Sequence, residues 1–150
     1  MKRFIFLSHT ADIKIRVYGK NFIEIINNSL LALKNFWKPK LKKIKVEKNI
    51  NIKSNNETDL LIDFLSEVLA QTYINKAIFV KFIPRINADQ TRINVDIKQN
   101  SFKIALCSLS GKIIGYKFTS LREDIKAITH HQAKLKKINK KYVFEFIIDI

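Results

Sequence analysis

Along this chain the spacing of apolar residues switches between two periods, and after Asn75 only the shorter one returns. Ile13, Ile15 and Val17 alternate with Lys14, Arg16 and Tyr18, the two-residue repeat of a half-buried strand, which Gly19 ends. Asn21 stands where a helix cap belongs. Phe22, Ile26, Ser29, Leu30, Leu33 and Trp37 then fall on one helical face, and Pro39 stops the pattern. Ile44, Val46, Ile50 and Ile52 restore the short period against Lys45, Glu47, Asn49 and Asn51, which predicts a long strand or a bent pair. The strongest helix opens at Asn56 or Thr58 and closes near residue 73. Its Leu60, Leu61, Phe64, Leu65, Val68 and Leu69 recur at three and four, with Asp59, Asp63, Ser66 and Glu67 between them.

Strand-sized runs follow at 77–82, 93–97 and 102–106, with polar connectors at 87–89 and 99–101, and Ser110-Gly111 ends the third run. Segments 124–138 and 142–150 flank a short connection at 139–141 and read as a hairpin, so the chain closes on a strand. Two helices with one apolar face each, set among many strands, predict an α+β two-layer domain. The helices pack on one side of a mostly antiparallel or mixed sheet. No fixed-period repeat and no Pro/Gly/Ser-rich linker divides residues 1–150, so one domain is expected. A chain of this size hides roughly two-thirds of its unfolded surface.

No run is apolar enough to span a bilayer, and the apolar start is broken by Ser8, His9 and Asp12, unlike a secretory leader. The expectation is a cytoplasmic protein with no membrane partner. Cys107 has no second thiol for a disulfide or a zinc knuckle and reads as a small buried apolar residue. Lys plus Arg number 28 against 13 Asp plus Glu, a net charge of +15. Such an excess favours polyanions such as tRNA or other RNA, through counterion release and steering. A composition crowded with Lys, Asn and Ile, as AT-rich coding imposes, yields the same excess whatever the partner. The two readings stand level. The lysines are spread along the chain apart from 38–48 and 134–141, and no RNP run, GXXG loop or zinc-knuckle spacing is present.

Two clusters bear chemistry. Ser8-His9-Thr10-Ala11-Asp12 lies between two apolar strands and offers an imidazole, hydroxyls and a carboxylate. Taken alone, a turn in which Asp12 or Thr10 caps its own backbone outranks catalysis there. In Ile147-Ile148-Asp149-Ile150 a carboxylate interrupts an apolar strand, so it faces water or has a cation or donor partner. The hairpin sets Asp149 opposite Thr129-His130-His131. If paired numbers sum to 279, Asp149 faces His130 and shares a face with Lys126; if they sum to 280, it faces His131. The sequence does not choose. In the first register Lys126 lies about 13 Å along the strand from the partner of Asp149, so contact needs a bulge or a long reach.

Four segments carry a family resemblance. His9-Thr10-Ala11-Asp12 followed by Arg16-Val17-Tyr18-Gly19-Lys20 resembles the N-terminal signature of the archease family, and the segment from Leu60 to Leu69 its central helix. Asp124-Ile125-Lys126-Ala127-Ile128-Thr129-His130-His131 is similar to a Glu-Ile-Lys-Ala-Val-Thr-Tyr-His block, with His130 in place of tyrosine. Ile147-Ile148-Asp149-Ile150 is similar to a closing Val-Leu-Asp-Ile. The resemblance implies a non-enzymatic helper of the RtcB-type tRNA-splicing RNA ligase, promoting the metal- and GTP-dependent guanylylation and the multiple turnover of that enzyme. It also implies a metal site on Asp12, Asp149 and Ile150, with Lys126 as a nearby functional lysine. Oxygen donors suit a hard divalent ion, Ca²⁺ first, Mg²⁺ or Mn²⁺ next. His9 or His131 would add nitrogen, though each serves equally as a structural histidine. Ligands from both ends of the sequence give the last strand a reason to sit beside the first.

Two other classes compete. A basic RNA-binding module or RNA chaperone without a ligase partner draws on the charge and on 11 Phe and 4 Tyr, although these mostly occupy apolar faces. A metal-dependent hydrolase built on Asp12, His9 and Asp149 lacks a clear nucleophile and base pair and any His-Glu-x-x-His motif.

Overall fold

The computed structural model describes residues 2–8, 12–85, 94–97 and 105–150. Among these the elements run β1 (Phe4–Ser8), β2 (Ile13–Gly19), α1 (Phe22–Trp37), β3 (Lys40–Ser54), α2 (Glu57–Asn75), β4 (Ala77–Pro84), β5 (Asn94–Ile97), β6 (Ala105–Ser120), β7 (Ala127–Ile138) and β8 (Lys141–Asp149). Both helices start on an asparagine whose carboxamide oxygen accepts an orphan N–H: Asn21 from Glu24 and Asn56 from Asp59, each at 2.8 Å. Each helix ends at a lysine in the left-handed region, Lys38 and Lys76.

The α+β class holds, with both helices on antiparallel strands. The strands divide into two sheets rather than one: a terminal sheet β1-β2-β8-β7, and a central sheet β3-β6-β4 in which β5 also pairs β6. The burial of α1 explains the division. Phe22, Ile25, Ile26, Ala32, Leu33 and Trp37 form too broad an apolar stripe for one sheet to cover, and α1 lies against both β2 and β4. The shared core joins Ile15, Val17, Phe144 and Phe146 of the terminal sheet to Phe79, Phe82 and Ile113 of the central sheet, all at most 1% exposed. Phe64 of α2 meets the Phe82 ring edge-on at 5.2 Å. Cys107 is buried, as its lone status suggested.

Three sequence expectations need correction or fall outside the described chain. Ser110-Gly111 does not end a strand, since β6 continues to Ser120. A side chain at Gly111 or Gly115 would collide with the β4 carbonyls of Ile83 and Ile78, so these glycines allow close strand approach and are not turn signals. The last strand, β8, lies beside β2, and β1 is the outer neighbour. The connectors at 87–89 and 99–101 and the run at 102–104 lie outside the described residues.

Candidate functional site

The site grows from two strand registers at one end of the terminal sheet. The β2–β8 ladder closes with Ile13 opposite Ile148, and Asp12 and Asp149 are the residues next beyond that last pair. On the other side Asp149 pairs with Ala127, and the Lys126 N–H donates to the Asp149 carbonyl at 2.7 Å. The same register carries Ile150 opposite Lys126. Asp12, Asp149, Ile150 and Lys126 therefore share one sheet end, where Asp12 is half-buried and the other three are exposed. His9 lies outside the described residues.

Neither anticipated histidine faces Asp149. Near the hairpin turn, where Asn139 and Lys140 both adopt positive φ as a two-residue turn requires, paired numbers do sum to 279. Then Lys134 pairs Glu145 while Thr129 pairs Ile147, so residues 130–133 stand opposite Phe146 alone. This bulge shifts the register by three and replaces His130 or His131 by Ala127 as the Asp149 partner. It also supplies what Lys126 needed to become an immediate neighbour. His131 is exposed on the bulge and is not part of the sheet end.

The bulge is fastened to α2 by contacts the sequence reading missed. His130 reaches Asp59 through Nδ1 at 3.2 Å and Asp63 through Nε2 at 3.0 Å, and the Ser54 hydroxyl donates to the other Asp63 oxygen. The one available signal was the i, i+4 spacing of Asp59 and Asp63, which read as solvent-side helix positions. A second missed anchor is Tyr73. Its hydroxyl accepts from the Ile125 N–H at 3.0 Å and donates to the Ile125 carbonyl at 2.9 Å, fixing the residue before Lys126.

Opposed strand residues lie about 4.5–5.5 Å apart at Cα, and like charges so placed repel. Two carboxylates and the Ile150 main-chain oxygen are hard donors. Among the described residues no group of three or more His, Cys, Asp or Glu is gathered for a metal. A cation here would complete its shell with main-chain oxygen and water, the habit of Ca²⁺ and Mg²⁺ and not of zinc. The residues present fit such an ion.

Comparison with known proteins bears on the whole chain. Residues 4–150 match the model of the Archease protein family (MTH1598/TM1083). The chain belongs to the archease family. The archease of Methanosarcina barkeri is 30% identical, covering 99% of this chain and 97% of that protein. The archease of Sulfurisphaera tokodaii is 28% identical over the full length of both. The archease fold is shared with the solution structure of Methanobacterium thermoautotrophicum protein 1598, at a TM-score of 0.68 and 22% identity over both whole chains. It is also shared with Thermotoga maritima TM1083, an archease described as a possible chaperone, at 0.63 and 19% identity, covering 96% of this chain and 94% of that one.

Proposed function

We propose that this archease-family chain is an accessory protein of an RtcB-type tRNA-splicing RNA ligase, promoting its GTP-dependent guanylylation and its multiple turnover in tRNA splicing or RNA repair. One observation supports the reading: Asp12 and Asp149 lie just beyond the last β2–β8 pair, and Asp149 accepts from the Lys126 N–H, at an exposed sheet end that can enter a partner's active centre. In this reading Asp12, Asp149 and the Ile150 main chain hold a divalent ion, Ca²⁺ or else Mg²⁺ or Mn²⁺. The ion, when bound, neutralises phosphate charge, the main lever in phosphoryl transfer. Lys126, its main chain fixed by Asp149 and by the Tyr73 anchor on Ile125, directs a second positive charge to the same phosphates. The chain lends charge and position to the ligase and forms no covalent bond itself. A cytoplasmic setting accords with this role, and among the described residues no helix is long and apolar enough to cross a membrane.

A ligation assay at low ligase concentration, with and without this protein, tests the reading. Asp149→Ala is expected to keep the far-UV circular dichroism and melting temperature of the parent yet to abolish stimulation of multiple turnover. Full stimulation by a folded Asp149→Ala protein refutes the site. Phosphoester turnover by the purified chain alone would favour the hydrolase reading instead.

A further inference from the structure

We infer that the outward face of the terminal sheet binds single-stranded RNA, with phosphates on its lysines and bases against Tyr18. The inference stands on the charge and shape of this face and does not depend on the ligase reading.

Alternation fixes the face. Ile15, Val17, Phe144 and Phe146 point into the core, so the residues between them point away from both helices. One row across β2, β8 and β7 is then Arg16, Glu145 and Lys134, and the next is Tyr18, Val143 and Lys136. Beyond Gly19 and Tyr142, Lys20 and Lys141 extend the cationic track. The acid in these rows, Glu145, is occupied by Arg16 at 2.6 Å. Lys20, Lys134, Lys136 and Lys141 make no salt bridge among the described residues and are exposed, with Lys134 also acting on Glu145 through its charge.

The surface is also shaped. Three adjoining hollows of about 360, 410 and 500 Å³ open on and beside this face, and Tyr18 lines each of them. Those volumes fall in the range of small-ligand sites. A positively charged groove with an aromatic wall is the recurring solution for unpaired nucleic acid, in which every base offers a π-face. A duplex hides those faces and gains nothing from Tyr18. Cations two residues apart along a strand are separated by about 6.6 Å, comparable with the step between successive phosphates of a single strand. The track runs along β8 toward Asp149, whose charge repels phosphate and bounds the site at that end.

Fluorescence anisotropy with an unstructured, labelled 20-nucleotide RNA tests this, repeated over a range of salt. Each lost phosphate contact lowers the slope of log K against log salt by about 0.7, so Lys134→Ala/Lys136→Ala is expected to flatten it by about 1.4. Tyr18→Leu is expected to weaken binding about fivefold or more with the slope unchanged. Lys42→Ala/Lys43→Ala on β3 removes the same net charge elsewhere and is expected to leave both quantities near the parent values. Equal weakening by the two double variants would reduce the effect to net charge. Binding insensitive to Tyr18→Leu, tighter binding to duplex RNA, or equal competition by poly-glutamate each overturns the inference.

Discussion

The two sheets share one core and the same pair of helices, yet they are built to different ends. In the central sheet, Gly111 and Gly115 bring β4 and β6 so close that no side chain fits between them. One group of its outer charges is settled locally, with Lys45 and Lys112 both on Glu47 at 3.0 and 3.4 Å and Asn49, Asn51, Ser108 and Ser110 around them. Lysines at 40, 42, 43, 45, 48 and 53 on its border strand β3 discourage edge-to-edge pairing with another chain. Both sheets carry register shifts, at 40–45 and 79–81 in the central sheet and at 129–134 in the terminal one, but in the terminal sheet cations outnumber acids on the outer face and two aspartates lie at one end. Close, glycine-lined strand approach marks the sheet that supports. An outer face on which cations outnumber acids marks the sheet that recognises.

The sharpest way to break this contrast is to disturb the supporting sheet alone. Gly115→Ala places a methyl group against the Ile78 carbonyl and the Phe79 Cα, all of it β4 backbone with no side chain free to yield. A loss of about 2–3 kcal/mol in urea unfolding is expected, with an unchanged m-value. The protein that remains folded should stimulate the ligase as the parent does. A loss below about 0.5 kcal/mol would mean that the close approach is not a constraint.

The same contrast explains what could be read from the sequence. Both helices, β2 and the hairpin were legible because each rests on local periodicity and on caps such as Asn21 and Asn56. The adjacency of β2 and β8, which brings the two ends of the sequence together, is encoded in no local pattern and was expected only through family resemblance. The glycines misled because a glycine that admits a neighbouring strand looks the same as one that turns the chain. The bulge was illegible for a related reason. Its cause, the fastening of His130 to Asp59 and Asp63, spans about seventy residues, and the β7 sequence carries no glycine or proline to announce it.

That fastening gives an intermediate prediction on the recognising sheet. His130→Ala removes both side-chain contacts to Asp59 and Asp63 and leaves the two carboxylates to repel each other one helical turn apart. The His130 side chain is 54% exposed, so solvent screening limits the loss to about 1 kcal/mol. Hydrogen exchange should rise at residues 127–134 while β4 and β6 stay protected. Uniform exchange across both sheets would show that the bulge is not locally held.

The smallest effect concerns the pair that crosses the recognising face. Burial raises the Glu145 carboxyl, but the Arg16 hydrogen bond and charge, aided by Lys14 and Lys134, outweigh it and hold the group below its ordinary value near 4.5. A depressed folded-state value means that the unfolded chain takes up the proton first as pH falls. The stabilisation is therefore complete at neutral pH and fades as pH drops below about 4.5 through the lower folded value. With the Arg16 side chain 36% exposed and that of Glu145 19%, a double-mutant cycle of Arg16→Ala and Glu145→Gln should give a coupling of about 0.5–1 kcal/mol at pH 7. At pH 3 the coupling should be smaller, and 0.5 M salt should reduce it at neutral pH. A coupling that grew on acidification would reverse the sign argued here, and with it the view that cations dominate this face.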